Sequence, residues 1–103
     1  MKLLIVTVVE EFEKKVMELF KEAGIENFSS SDIDGFKNQN GTHVMSSWFP
    51  AVSGSNESSM FFSFTDEDKI DGLFRLINIF NTSLESPNPI KAVVVPVEKN
   101  VGF

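Results

Sequence analysis

The chain offers one pair of residues suited to a soft metal ion. The single histidine, His43, lies two residues before Met45, so in an extended segment both side chains would point to the same side. Imidazole and thioether groups together can hold an ion such as Cu(I). Two ligands do not complete a metal site, so an exposed loop histidine is the competing interpretation.

Acidic residues form two groups that could take part in acid–base or metal chemistry. Asp32 and Asp34 would share one face of a strand, as an acid–base pair could. No positioned nucleophile or metal accompanies them, so catalysis is not predicted. The acidic run Asp66–Asp68 follows Thr65, where a helix start favours anions. Helix capping, with Thr65 as N-cap, explains that run better than a metal site does.

An aromatic pair, Trp48 and Phe49, lies in a segment otherwise rich in Asn, Gly and Ser. Exposed rings on a loop are typical of a surface that docks another protein. The alternative is that the rings fold back onto this chain or onto a neighbouring subunit, because burial stabilises large rings.

The hydrophobic pattern predicts two helices and four strands around these residues. The predicted strands are Lys2–Val9, Asn27–Asp34, Met60–Phe64 and Ile90–Val97, and the helices are Glu10–Ala23, ended by Gly24, and a second running to about Phe80. Residues 37 to about 58 are predicted to form a long, mobile loop. The order β-α-β-β-α-β predicts one α+β domain over residues 1–103. Its fold is ferredoxin-like, a four-stranded antiparallel sheet with two helices on one face.

One face of that sheet has no helix to cover it. We expect Leu4, Val6 and Val94 to lie there, together with several phenylalanines. An apolar sheet face of this kind favours association with further copies of the chain.

The composition excludes several classes of protein. The net charge of −6 disfavours nucleic-acid binding, because a negative field repels phosphates. The absence of cysteine excludes disulfides, thiolate chemistry and cysteine-based zinc sites. The apolar runs are too short to cross a bilayer, and the first strand leaves no room for a signal peptide. A cytoplasmic protein is therefore expected.

With this order of elements, the chain resembles the PII signalling superfamily. That family has a Gly-Ile or Gly-Val after the first helix, then a Ser/Thr-rich strand ending in acidic, hydrophobic and charged residues, then Gly-Phe-Gly-Arg-Gln. The corresponding residues here are Gly24-Ile25, Ser29–Ser31, Asp32–Asp34 and the hinge Gly35–Gln39. The register holds without a gap from Met1 to Gly41.

The resemblance implies a homotrimer that binds a small anionic effector in clefts between subunits and is not an enzyme. It implies ligand contacts from the hinge residues Gly35, Phe36, Lys37, Asn38 and Gln39. Lys91 enters the last strand, where it could reach an anion in the same cleft. The competing interpretations are a backbone turn at Gly35, a core or interface position for Phe36 and a solvent-facing Lys91.

The resemblance also implies that the long loop is a T-loop-like segment. The tip of that segment, Trp48 and Phe49, would control a target protein such as a membrane transporter. Direct membrane insertion is not expected.

Two departures from the family pattern bear on the effector. Lys37-Asn38 stands where the family has Gly-Arg, and the loop before the last strand, Leu84–Pro89, lacks the family's Gly/Lys pattern. Prolines remove backbone N–H donors, and Glu85 repels phosphate. Tight ATP binding is therefore not expected, while another adenine nucleotide is compatible with these residues. The modification-site tyrosine of the family is absent, since the chain has no Tyr.

Two alternatives stay open at this point. The first is a trimeric metal-tolerance protein that uses His43 and Met45. The second is a cofactor-free ferredoxin-like enzyme with an aromatic pocket between helices and sheet, lined by His43, Trp48 and several phenylalanines.

Overall fold

A computed structural model of the chain describes residues 1–35 and 56–103. In chain order its elements are β1 (Lys2–Val9), a 3-10 turn (Glu10–Phe12), α1 (Glu13–Glu22), β2 (Ser29–Gly35), β3 (Asn56–Thr65), α2 (Glu67–Ser83) and β4 (Lys91–Pro96). The strands form one sheet in the order β2-β3-β1-β4, and all neighbours are antiparallel. The predicted ferredoxin-like architecture is confirmed.

The register defines two ends of the sheet. At the loop end, Gly35 of β2 pairs with Asn56 of β3, and Val9 ends β1. At the far end, Lys2 pairs with both Thr65 and Pro96. β2 and β4 are the two edge strands. Pro96 therefore lies where a residue without an N–H is tolerated, as its position in the sequence predicts.

The core lies between the helices and one face of the sheet. Each helix contributes an apolar stripe at helical spacing, and β1 contributes alternate residues. Phe20 of α1 is fully buried, and its ring meets Phe28 and Phe61 edge-on at centroid distances of 4.9 and 5.8 Å. The other buried core residues are Leu4, Val6, Val8, Val16, Leu19, Ile25, Ile70, Leu73, Ile77 and Ile90.

The prediction that Leu4, Val6 and Val94 lie on the uncovered face of the sheet is wrong. Leu4 and Val6 point to the helices and are fully buried, and Val94 shares their face because it pairs with Leu4. β1 is apolar on both faces, so its residues alone do not say which alternate set meets the helices. The uncovered face instead carries Leu3, Ile5, Met60, Phe62, Phe64, Val93 and Val95.

Several predicted boundaries also differ from the structure. β3 begins at Asn56, so the last residues assigned to the long loop belong to a strand. Thr65 does not cap α2, because it is still paired with Lys2 in the sheet. Asp66 is the N-cap, without a side-chain capping hydrogen bond. Gly24 ends α1 as predicted, with the positive φ of 80° that favours glycine. Neither helix in the described ranges is long and apolar enough to span a bilayer.

Candidate functional site

Only two of the predicted site residues belong to the described parts of the chain. Gly35 is the last residue of β2, at the loop end of the sheet. Lys91 is the first residue of β4. The remaining ligand, metal and partner residues lie outside the described residues: Phe36, Lys37, Asn38, Gln39, His43, Met45, Trp48 and Phe49.

Lys91 lies on the uncovered face of the sheet, near the loop end. It pairs with Thr7 of β1, which in turn pairs with Met60 of β3, so the three side chains share one face. Lys91 is half-buried and Thr7 is fully buried. A half-buried ammonium beside a buried hydroxyl is suited to contact an anion, because Lys supplies charge and up to three hydrogen-bond donors.

Ser58 adds a second hydroxyl to this region of the face. It pairs with Val9, one row closer to the loop end than Thr7. Its side chain is buried, and its Oγ has no hydrogen-bond partner among the described residues. A buried polar atom without a partner is uncommon in folded proteins, so this hydroxyl is a candidate ligand contact.

The structure does not bring Gly35 and Lys91 into direct contact. They lie on the two edge strands, which are separated by three inter-strand spacings of about 4.8 Å, or roughly 14 Å. The hinge residues after Gly35 would therefore have to span this distance for one ligand to touch both parts of the predicted site.

The loop between α2 and β4 has few backbone donors to offer a phosphate. Pro87 and Pro89 have no N–H, and the N–H of Asn88 donates to Ser86 Oγ at 3.1 Å. The N–H of Ile90 donates to Asn81 Oδ1 at 2.9 Å. The N–H groups of Asn88 and Ile90 are therefore already used within the chain.

The acidic residues on the helix side of the sheet are held in structural contacts. Ser59 of β3 donates a hydrogen bond to Glu13 at the start of α1, and Asp32 Oδ1 lies 3.5 Å from the same hydroxyl. The Ser59 hydroxyl has one proton, which it donates to Glu13. This hydrogen bond connects the start of α1 to β3. The described residues contain no group of three or more potential metal ligands. The run at Asp66 is the N-terminal turn of α2, as predicted.

The aromatic rings between the helices and the sheet pack on one another. Phe12 meets Phe80 at 5.5 Å, and Phe28 lies 5.9 Å from Phe61. These rings help to fill the space between the helices and the sheet. A cofactor-free enzyme of this fold would need a pocket in that space. No observation in the described residues favours that alternative.

Sequence reasoning missed Thr7 and Ser58 as candidate site residues. The sequence does distinguish Thr7, since it is the one polar residue between Leu3 and Val9. For Ser58 the sequence carries no such signal, because it lies in a Ser-rich stretch with the character of a loop and its burial depends on the register of β3 against β1.

Comparison with known proteins supports the same fold. No protein-family model matches the chain, and no curated protein matches its sequence. Among solved structures, it is similar to CPII from Thiomonas intermedia K12, a nitrogen regulatory PII-like protein bound to ADP, AMP and bicarbonate. The identity is 12%, the TM-score is 0.61, and the match covers 97% of this chain and 94% of CPII.

A DUF3240 family protein from Shewanella baltica OS155 is also similar, with 16% identity and a TM-score of 0.66. That match covers 99% of this chain and 94% of the other. At these identities the similarity concerns the fold. The chain therefore has the fold of PII-like proteins over nearly its whole length, and the resemblance predicted from its sequence is confirmed at that level.

Proposed function

We propose that the chain is a PII-like regulatory protein, rather than an enzyme, which binds a small anionic effector between the subunits of a homotrimer in the cytoplasm. The main support is the match to CPII, which covers 97% of this chain and 94% of CPII. The position of Lys91, on the uncovered face and near the loop end, agrees with this proposal.

The proposed assembly follows from the uncovered face. Phe64 and Val95 are 42% exposed and Val93 is 38% exposed, although all are strongly apolar. Leu3 of β1 pairs with both Phe64 and Val95, and Ile5 pairs with Val93. The apolar surface therefore extends across three neighbouring strands. A contiguous apolar face of this kind marks an interface, and three copies would cover it in a closed ring.

Replacing Phe62 with lysine should break the assembly while leaving the fold of each subunit intact. Phe62 lies in the middle of the uncovered face, between Ile5 and Ser29, where a charge would be buried by association. Light scattering coupled to size exclusion should show the mass of three chains for the wild type and of one 11.5 kDa chain for Phe62→Lys.

Met17→Lys is the matched control, because Met17 is 44% exposed on α1, on the other side of the sheet. It should remain trimeric. A wild-type protein that is monomeric at micromolar concentration would contradict the proposed assembly.

The proposed effector is an adenine nucleotide other than ATP, or bicarbonate. Lys91 would supply charge, Ser58 would supply a hydroxyl group, and the hinge Gly35–Gln39 would complete the site. The loop before β4 would contribute little, since the N–H groups of Asn88 and Ile90 are already used. ATP, with its additional phosphate, gains nothing from such a loop.

Removing the Lys91 ammonium should weaken effector binding by about tenfold or more, because a hydrogen bond to a charged group contributes about 1.5–3 kcal/mol. Titration calorimetry with ADP, AMP and bicarbonate would measure this for Lys91→Ala. The control is Lys99→Ala, since Lys99 is exposed beyond β4. Equal affinities for the wild type and Lys91→Ala, or no binding of any of the three compounds, would contradict the proposed site.

The proposed output is control of a target protein through the segment between β2 and β3. Trp48 and Phe49 would form its contact surface, and a membrane transporter is one suitable target. Effector binding would shift this segment between two states because it binds one of them more tightly. Substituting Trp48 with alanine should leave the fold intact and abolish binding of the target.

A further inference from the structure

The segment that follows β4, residues 97–103, reaches the uncovered face of the sheet at its far end. β4 is an edge strand and ends at Pro96. Seven residues later, the ring of Phe103 meets the ring of Phe64 edge-on at a centroid distance of 5.0 Å. Phe64 belongs to the uncovered face, since it pairs with Leu3. The segment therefore runs from β4 past β1 to β3, across two inter-strand spacings or roughly 10 Å.

Gly102 fixes the direction of the chain just before this ring contact. Its φ of 88° lies in the region that favours glycine. Among the described residues, nothing apart from its chain neighbours lies within 4 Å of the position that a Cβ would take, so the requirement for glycine is conformational rather than steric. The contact between Phe103 and Phe64 therefore depends on a backbone turn that another residue would strain.

The segment exposes apolar side chains next to a face that is itself apolar. Val101 is 93% exposed, and Phe103 is 70% exposed although it contacts Phe64. Single exposed apolar residues are common on protein surfaces, whereas a contiguous group marks an interface. Phe103 extends the group formed by Phe64, Val93 and Val95, which the proposed assembly covers. The segment thus enlarges the apolar surface that is available for association.

The contact between the two rings limits how a neighbouring copy can meet this face. Because Phe64 and Phe103 touch, a copy that covers Phe64 either packs against Phe103 or displaces it. Displacement would break the ring–ring contact, and such contacts contribute about 0.5–1.5 kcal/mol beyond the burial of area. Packing against Phe103 keeps the contact and removes more apolar surface from water. These observations favour a segment that takes part in the interface.

An open cavity of about 480 Å³ lies beside the segment. The rings of Phe62, Phe64 and Phe103 line it, together with residues of the connection between α1 and β2. The pairing of β3 with β2 stops where Phe62 meets Ser29, whereas its pairing with β1 continues to Thr65. Phe64 therefore has a neighbouring strand on one side only, and its ring is accessible from the cavity.

We propose that the segment 97–103 is part of the interface between copies of this chain. In the assembly, a neighbouring copy covers Val101 and Phe103, and one of its apolar side chains enters the cavity lined by the three rings. This inference rests on the proposed homotrimer and deepens it, because it assigns an interface role to residues that lie outside the sheet and far from Lys91.

Sedimentation equilibrium of the wild type and of two variants tests the role of the segment. Phe103→Ala should raise the concentration at which the trimer dissociates by about tenfold or more, because it removes an aromatic anchor from each interface. Gly102→Ala should also weaken association, since it strains the turn that places the ring. Both subunits should keep the circular dichroism spectrum of the wild type, because neither residue belongs to the core.

Asn100→Ala is the matched control. Asn100 is an exposed polar residue of the same segment, so its truncation should leave the dissociation concentration unchanged. Equal weakening by Asn100→Ala and Phe103→Ala would show that the ring has no specific role and would overturn the proposal.

A unique thiol reports directly on whether the segment is covered. The chain has no cysteine, so Val101→Cys introduces a single site for a maleimide. The thiol should react more slowly in the assembled protein than after dilution to the monomer. Lys99→Cys, on an exposed polar position, should react at equal rates in both states. Equal rates for Val101→Cys would place the segment in solvent and overturn the proposal.

The wild type distinguishes a failure of this inference from a failure of the proposed assembly. A wild type that is monomeric at micromolar concentration contradicts the homotrimer and this inference together. A trimeric wild type with an equally tight Phe103→Ala variant overturns the inference alone. If Phe103→Ala associates more tightly than the wild type, the segment competes with the neighbouring copy for the face, and the inference is again overturned while the assembly stands.

Discussion

Replacing Phe20 with alanine will destabilise the fold by about 3–5 kcal/mol, since this is the usual effect of truncating a buried phenylalanine. Phe20 is fully buried, and its ring contacts both Phe28 and Phe61 edge-on. The substitution removes apolar burial, leaves a cavity and deletes two ring–ring contacts at once. The free energy of unfolding of a domain of this size is only roughly 5–15 kcal/mol, so Phe20→Ala removes a large part of it. Urea denaturation followed by circular dichroism measures the change.

Met17→Ala is the control for this effect on the same helix. Met17 is largely exposed, so its truncation should change the free energy of unfolding by less than about 0.5 kcal/mol. If Phe20→Ala were as mild as Met17→Ala, the core assigned to the helix side of the sheet would be wrong.

Asn81→Ala will also destabilise the fold strongly, lowering the free energy of unfolding by about 2–4 kcal/mol. The Asn81 side chain, in the last turn of α2, donates to the Ile90 carbonyl at 2.8 Å and accepts from the Ile90 N–H at 2.9 Å. It thereby pairs with Ile90 as a strand would and holds the entry to β4. Ile90 is 3% exposed, so alanine would leave two backbone groups without partners in a largely dry position.

A substitution elsewhere on α2 serves as the control for Asn81→Ala. Asn78 is exposed one turn earlier, and Asn78→Ala should be nearly neutral. Asn81→Asp keeps the acceptor for the Ile90 N–H but places a carboxylate against the Ile90 carbonyl, so it should also destabilise. Equal denaturation midpoints for the wild type and Asn81→Ala would show that water replaces both hydrogen bonds.

The candidate site was accessible from the sequence only in part. Gly35 was a candidate because the hinge Gly35–Gln39 resembles the family's motif, and Lys91 because it enters a strand. Thr7 and Ser58 join Lys91 on one face through the register of three strands. That register depends on contacts between residues about 50 or more positions apart, which no local pattern specifies.

The sequence by itself determined the order of the elements, the end of α1 at Gly24, the edge position of Pro96 and the absence of N–H donors at the two prolines of the loop before β4. Each of these follows from backbone chemistry or from periodicity within a few residues. Only the tertiary structure decided which alternate residues of β1 meet the helices, how Asn81 pairs with Ile90, and where β3 is left without a neighbour. The physical reason is that burial, register and hydrogen-bond partners arise when separate elements pack together. An apolar strand such as β1 is compatible with either face until the helices cover one of them.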